Sequence, residues 1–168
     1  SENIETLAEE IRAALDGKYQ YEVVYVDDGS SDETPQELER LRQAYPQFRS
    51  IRHLRNSGQS TAVRNGVKAA RGEWIVTLDG DGQNDPADIP RFIEVMHKEG
   101  AGGKLQMVAG YRKKRQDDWI KRYSSRVANK VRASLLKDAT PDSVCGLKMY
   151  RREVFLDLPY FDHMHRFL

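Results

Sequence analysis

The sequence is poor in cysteine, in long apolar runs and in net charge, and each shortage excludes a class of protein. The single cysteine, Cys145, cannot form an internal disulfide. No apolar run approaches the ~20 residues of a membrane-spanning helix, and no signal-peptide pattern is visible. The 27 basic and 26 acidic residues nearly cancel, so the overall charge gives no reason to expect binding to nucleic acid. What remains is the composition of one globular domain of 168 residues, long enough for a sizeable core.

Segments with strand and helix patterns alternate along the chain. The strand candidates are residues 21–26, 50–54, 74–78 and 105–110. Amphipathic helical patterns lie before, between and after them, and this alternation predicts an α/β fold with a mostly parallel sheet and helices on both faces. The chain starts without methionine inside a helical pattern and stops just after Phe167. We therefore expect one domain over residues 1–168 that is truncated at both ends, with a strand before Ser1 and further sequence after Leu168.

The segment with the most distinctive chemistry follows the third strand candidate. Trp74 to Leu78 has the length and β-branched content of a buried strand, and Asp79, Asp81 and Gln83 come directly after it. Residues two apart point the same way where a strand is running out, so these side chains can converge on one point. Hard oxygen donors on an open site suit Mg²⁺ or Mn²⁺ that is shared with substrate phosphates. The spacing therefore predicts a divalent-cation site.

A helix cap, an EF-hand loop and a phosphatase motif would each account for less of this segment. A turn that caps the next helix explains Asp85 before Pro86, but it leaves the two earlier carboxylates unexplained. An EF-hand loop is excluded because Asn84 and Pro90 stand where that loop needs glycine and glutamate. An aspartyl-phosphate phosphatase is a weaker alternative, because its motif has threonine or valine where this chain has glutamine.

Three further features have both a structural and a functional interpretation. Asp27 ends the first strand candidate, where open α/β sheets bind ligands, although a turn before a helix also fits there. Residues 56–62 begin a helix with polar groups and could bind phosphate, yet they lack a P-loop lysine and equally fit an ordinary cap. Nine Lys or Arg lie between Arg112 and Arg132, on and before an amphipathic helix. They fit a solvated face or an anionic membrane surface equally well.

The single cysteine also has two interpretations. Cys145 has apolar neighbours, so a place in the core fits it better than the role of a nucleophile.

Taken in order, five motifs resemble those of one enzyme family. They are residues 26–32 (VDDGSSD), 58–62 (GQSTA), 79–83 (DGDGQ), 110–112 (GYR) and 142–148 (DSVCGLK). Together they resemble the family 2 glycosyltransferases, in particular the dolichol-phosphate mannosyltransferase-like branch that loads sugars onto polyprenyl phosphates. The resemblance covers essentially the whole chain and implies the GT-A fold. In that family a first strand, ending in Pro-x-Tyr-Asn-Glu, precedes the helix at Ser1, so a central strand would be absent here.

The resemblance implies roles for particular residues, which we state as expectations. The residues expected to contact the nucleotide sugar are Asp27, Asp28, Ser60, Asp79, Gly80 and Asp81. The expected ligands of Mg²⁺ or Mn²⁺ are Asp79, Asp81 and Gln83. The expected catalytic residues are Arg112 beside the donor, Asp142 near the transferred sugar and Arg166 on a phosphate. The residues expected at the membrane and the lipid head group are Arg122 and Arg126.

The resemblance also implies an activity. It is an inverting, metal-dependent transfer of a sugar from a GDP-, UDP- or dTDP-linked donor to a polyprenyl phosphate, on an enzyme held peripherally at the cytoplasmic face of a membrane. The alternatives are transfer to a saccharide hydroxyl in polysaccharide synthesis, the phosphatase, and a non-catalytic domain that binds nucleotide sugar. The processive polysaccharide type usually carries Gln-x-x-Arg-Trp, which is not found up to Leu168.

Overall fold

A computed structural model describes residues 3–99, 105–110 and 146–161. The helices in these ranges are α1 (Ile4–Leu15), α2 (Thr34–Ala44), α3 (Gln59–Ala69), α4 (Ile89–Glu99) and α5 (Arg152–Asp157). The strands are β1 (Val23–Asp27), β2 (Phe48–Arg52), β3 (Trp74–Thr77), β4 (Met107–Ala109) and β5 (Lys148–Arg151). A short 3-10 turn, Pro86–Asp88, leads into α4. The alternation of strand and helix confirms the predicted α/β class.

The strands form two sheets with different directions of pairing. β1 and β2 are parallel, whereas β5 lies between β3 and β4 and is antiparallel to both. β3 and β4 therefore run parallel to each other, as expected for strands joined through a crossover helix. Among the described strands, however, two of the three pairings are antiparallel. Both antiparallel pairings involve β5, which comes much later in the chain and inserts between two strands of the opposite direction, whereas β1 and β2 pair in parallel.

The two sheets share one core although no strand pairing joins them in the described part of the chain. There, β1 pairs only with β2 and β3 only with β5, so each keeps one edge without a partner strand. Tyr25 of β1 and Val76 of β3 nevertheless pack on the same apolar cluster, which contains Leu7 and Ile11 of α1 and Phe92 of α4. The helices α1 and α4 therefore connect the two sheets through side-chain packing.

Helices cover both faces of the three-stranded sheet. Successive strand residues point to opposite faces. Trp74 and Met149 pack with the cluster formed by α1 and α4. Their neighbours Ile75 and Tyr150 pack instead with Val67 of α3 and with α5. The predicted placement of helices on both faces is therefore confirmed for this sheet.

The second strand begins earlier than the predicted range of 50–54. Phe48 is only 2% exposed, pairs with Val23 in the strand register and lies beside the rings of Tyr25 and Tyr45. Leu54, in contrast, is fully exposed. Burying a phenylalanine is worth ~1.5–3 kcal/mol, so the aromatic contacts fix the register and the strand ends at Arg52.

Candidate functional site

The carboxylate of Asp27 ends β1 in a buried position. Its Oδ1 accepts a hydrogen bond of 2.8 Å from the backbone N–H of Ser30. Its Oδ2 is buried without a hydrogen-bond partner among the described residues, and Arg52 Nε lies 3.4 Å away as an ion-pair partner. The Asp27 side chain is 1% exposed and that of Arg52 is 60% exposed. A buried acceptor oxygen beside a movable guanidinium could take a new donor if the arginine moves aside.

Asp28 connects the end of β1 to the loop before α3. Its carboxylate accepts hydrogen bonds of 2.8 Å from the backbone N–H groups of Ser57 and Gly58 and lies 2.7 Å from His53 Nδ1. Next to it, Gly29 has φ 81°, and a Cβ there would lie 2.7 Å from the backbone of Arg55. The two loops are therefore in backbone contact. The structure shows that Asp28 holds residues 53–58 in place, and its predicted contact with a nucleotide sugar stays a prediction.

The hydrogen bonds to Asp28 make stability depend on pH. Burial raises the pKa of the Asp28 carboxyl, but the hydrogen bonds from His53, Ser57 and Gly58 outweigh burial, and the pKa lies below its ordinary value. A carboxyl whose pKa is lower in the folded state stabilises the fold above its unfolded pKa of about 3.9 and loses that contribution as pH falls towards the folded value.

We therefore expect Asp28→Asn to lower the free energy of unfolding at neutral pH and to flatten its decline below pH ~4. Urea unfolding followed by circular dichroism between neutral pH and about pH 2 measures this difference. A decline of the same steepness in wild type and variant would contradict the role of Asp28.

The start of α3 reaches the end of β3. Gly58 precedes the helix with φ 86°, Gln59 is its first residue, and Gln59 Nε2 donates a hydrogen bond of 3.0 Å to Asp79 Oδ1. Ser60, predicted to contact the nucleotide sugar, is 5% exposed in the same helical turn. Two motifs that are 20 residues apart thus meet through one amide–carboxylate contact.

Beyond β3, the predicted metal motif forms an exposed turn. Asp81 and Gln83 are exposed, and the backbone N–H of Gln83 donates to Asp81 Oδ1 at 3.0 Å. Gly80 is also exposed, with no atom within 4 Å of a Cβ built there. Asp85 accepts a hydrogen bond of 2.9 Å from the N–H of Ala87 and so caps the 3-10 turn, as predicted from Asp85-Pro86.

Gly146 lies against Asp79. A Cβ built on Gly146 would be 2.2 Å from Asp79 Oδ2 and 2.7 Å from Asn84 Nδ2. Real Cβ atoms do not approach so closely, so only glycine leaves room for the carboxylate in its present position. Gly146 reaches this site because β3 pairs with β5. In that pairing Thr77 faces Lys148, which stands two residues after Gly146.

The donor set at the end of β3 fits a hard divalent cation. Asp79 is half-buried, Asp81 is exposed, and neither Oδ2 accepts a hydrogen bond from the described residues. Two carboxylates are the set with which Mg²⁺ or Mn²⁺ is held jointly with phosphates and water. Residues 3–99, 105–110 and 146–161 contain no cluster of three or more His, Cys, Asp or Glu that could hold a metal alone. Gln83 is exposed beside this pair, and its role as a ligand stays a prediction.

The structure places only part of the predicted site. It brings Asp79 to the start of α3 and puts Asp27 at the end of β1. Five residues of the prediction lie outside the described ranges: Arg112, Arg122, Arg126, Asp142 and Arg166. Cys145 lies there as well. Sequence reasoning missed the contacts of Gln59, Asn84 and Gly146 with Asp79 or its surroundings, although each stands inside or beside a motif that it identified.

In the described part of the chain, no helix combines the length and apolar character that crossing a bilayer requires.

Two relatives with assigned activities are similar over most of the chain. Dodecaprenyl-phosphate galacturonate synthase of Rhizobium johnstonii is 32% identical over 171 aligned residues, which cover 99% of this chain and 49% of the relative. Undecaprenyl-phosphate 4-deoxy-4-formamido-L-arabinose transferase of Edwardsiella ictaluri is 37% identical over 137 residues, which cover 80% of this chain and 40% of the relative. The chain thus spans no more than about half the length of these relatives.

A solved structure shows the same fold. Glucosyl-3-phosphoglycerate synthase from Mycobacterium tuberculosis, crystallised with Mn²⁺ and uridine-diphosphate-glucose, superposes with a TM-score of 0.66. The two chains are 22% identical, and the match covers 94% of this chain and 54% of the other. The GT-A fold expected from the motifs is confirmed by this likeness. The sequence model of glycosyl transferase family 2 matches residues 2–158. The chain therefore belongs to glycosyl transferase family 2.

Proposed function

We propose that this chain is the donor-binding, catalytic part of an enzyme that transfers a sugar from a nucleotide-diphosphate sugar to a polyprenyl phosphate. The observation that carries the proposal is the contact between Gln59 at the start of α3 and Asp79 at the end of β3. It joins a polar helix start to a pair of carboxylates, each with one oxygen that accepts no hydrogen bond from the described residues; these are the parts that a cation-bound diphosphate needs. The names of the two relatives supply the acceptor class, since both act on a polyprenyl phosphate.

In this proposal Asp79 and Asp81 hold Mg²⁺ or Mn²⁺, and Gln83 completes the motif. The bound cation would stabilise the negative charge that grows on the leaving diphosphate. Asp79 is directed by its hydrogen bond to Gln59, whereas Asp81 stands in the exposed turn, where a ligand can reach it. Gly80 lets the backbone approach the diphosphate, and Ser60 lies in the helical turn that faces it. Arg112 adds positive charge beside the same phosphates.

The acceptor side rests on residues outside the described ranges. A lipid phosphate is already anionic at neutral pH and needs little help from a general base. Asp142 would then orient the acceptor, and it would act as a base if the acceptor were a hydroxyl. Arg166 would bind a phosphate. Membership of a glycosyltransferase family speaks against the phosphatase alternative.

An acceptor comparison tests the proposed reaction. The purified protein with Mn²⁺ is offered UDP-, GDP- and dTDP-linked sugars, each with undecaprenyl phosphate in detergent or with a soluble oligosaccharide. We expect sugar to appear on the lipid phosphate and release of one nucleoside diphosphate per transfer. Transfer to the oligosaccharide alone would favour polysaccharide synthesis, and nucleotide binding without transfer to either would favour a non-catalytic domain.

We propose that Asp27 contacts the base or ribose of the donor, with Arg52 moving aside. Asp27→Asn keeps the size of the side chain but places an amide NH₂ where an acceptor oxygen stood. A hydrogen bond to a charged group contributes about 1.5–3 kcal/mol, so we expect nucleotide affinity to fall about 10- to 100-fold. Calorimetric titration measures the loss, with Arg52→Gln as the matched variant that should bind at least as well as wild type. Equal affinity of Asp27→Asn and wild type would refute this contact.

We propose that the basic segment after Arg112, predicted from its sequence to be a helix, lies at the cytoplasmic face of a membrane and collects the lipid head group. Near an anionic surface each Lys or Arg contributes ~1 kcal/mol. Reversing two charges, with Arg122→Glu and Arg126→Glu together, should therefore weaken binding to phosphatidylglycerol vesicles by about tenfold or more. Vesicle co-sedimentation is the measurement, and undiminished binding would rule out this role.

A further inference from the structure

The carboxylate of Asp79 lies between two side-chain amides, that of Gln59 in α3 and that of Asn84 in the turn after β3. On one side, Gln59 Nε2 donates to Oδ1 at 3.0 Å. On the other side, the point where a Cβ of Gly146 would stand is 2.2 Å from Asp79 Oδ2 and 2.7 Å from Asn84 Nδ2. Because both atoms are measured from the same point, Asn84 Nδ2 and Asp79 Oδ2 are at most 4.9 Å apart, the sum of those two distances. One bridging water spans a separation of that order, and a side-chain rotation that brings the two atoms closer would give a direct hydrogen bond.

Asn84 is unusual for the turn in which it stands. The neighbouring Gln83 and Asp85 are exposed, whereas Asn84 is only 6% exposed. Its Nδ2 is buried and has no hydrogen-bond partner within the described ranges. A buried unsatisfied donor costs about 1–3 kcal/mol, so a residue of this kind is expected to have a partner in the working state of the site. Asn84 Nδ2 and Asp79 Oδ2 are the two polar atoms nearest to the point where a Cβ of Gly146 would stand.

We infer that Gln59 and Asn84 are positioning residues that set the direction of the Asp79 carboxylate from both of its oxygens. The inference rests on the proposed function, in which Asp79 binds a divalent cation. Both side chains are neutral amides, so they can hold a carboxylate without cancelling its charge. A lysine or arginine in either place would repel the cation as well as orient its ligand. Partners behind a metal ligand commonly contribute 10- to 100-fold to metal affinity.

The test measures binding of Mn²⁺ alone to the purified protein, from the electron paramagnetic resonance signal of the free ion. Gln59→Met removes one donor at nearly constant length, and Asn84→Leu removes the other at nearly constant volume. We expect each to weaken Mn²⁺ binding about 10- to 100-fold. Gln36→Met is the matched control: Gln36 is an exposed glutamine in the first turn of α2, and its replacement should leave binding unchanged.

Asp79→Ala, measured in parallel, separates failure of this inference from failure of the proposed function. If Asp79→Ala binds Mn²⁺ as wild type does, the proposed cation site is wrong. If Asp79→Ala loses binding while Gln59→Met and Asn84→Leu keep it, the positioning role is wrong and the cation site stands. Gln59 is exposed, so Gln59→Met decides the matter even if Asn84→Leu fails to fold.

Discussion

Replacing Asp79 or Asp81 by alanine should lower sugar transfer about 10²- to 10³-fold while leaving the fold intact. Each change removes a proposed carboxylate ligand of the cation that would offset charge on the leaving diphosphate, and losses of two to three orders of magnitude follow when one such stabilising group is removed. Neither residue belongs to the apolar core. The melting temperature should therefore change by only a few degrees. Initial rates of lipid-linked sugar formation at saturating Mn²⁺ give the effect.

The matched control for these variants is Asp88→Ala. Asp88 belongs to the 3-10 turn just before α4 and pairs at 3.0 Å with Arg91 on the surface. Surface pairs contribute little, so this variant should transfer sugar at close to the wild-type rate. Comparable rates for all three variants would mean that the end of β3 takes no part in the reaction.

Gly146→Ala should be the most damaging change of a single methyl group. The added Cβ would stand 2.2 Å from Asp79 Oδ2 and 2.7 Å from Asn84 Nδ2, so one or both side chains must move. Both contacts involve ends of side chains, which rotate at small cost, and the melting temperature should fall only slightly. The displaced carboxylate no longer faces the cation, and we expect transfer to fall about 10²-fold, as it does after small misplacements of reacting groups.

Gly66→Ala is the control for the added methyl group. It lies inside α3, and its Cβ would meet only the Val26 Cγ2 atom, at 3.2 Å, which can shift. Alanine is also the better helix former, by up to ~1 kcal/mol, so Gly66→Ala should keep both activity and stability. A Gly146→Ala enzyme as active as Gly66→Ala would show that the carboxylate can occupy another position without loss.

The sequence contained enough information to place Asp79 and Asp81 just after a strand, but not to show what surrounds them. Asp79 and Asp81 were predictable because they directly follow an apolar strand, and the alternation of strand side chains is a local rule. Gln59 meets Asp79 from 20 residues earlier in the chain, and Gly146 meets it from just before β5. Such meetings depend on which strands become neighbours. The insertion of β5 between β3 and β4 is a tertiary event that no local period records.

Asp28 and Asn84 show the same limit for individual side chains. The motif of residues 26–32 places the polar Asp28 just after a strand, a position that suggests contact with a ligand. The motif does not reveal that the Asp28 carboxylate also accepts hydrogen bonds from two backbone N–H groups of a loop 29 and 30 residues away. Asn84 stands in a polar run, which favours exposure, yet the approach of Gly146 covers it. In both cases the long-range neighbour, rather than the residue type, determines the contacts and burial of the side chain.

The most direct test of the central claim is a calorimetric titration of the purified protein with UDP, GDP and dTDP, each with and without Mn²⁺. The account predicts that one nucleotide binds substantially more tightly when Mn²⁺ is present, and that this gain disappears in Asp79→Ala and Asp81→Ala. Binding of equal strength with and without the metal, unchanged in both variants, would contradict a cation held at the end of β3.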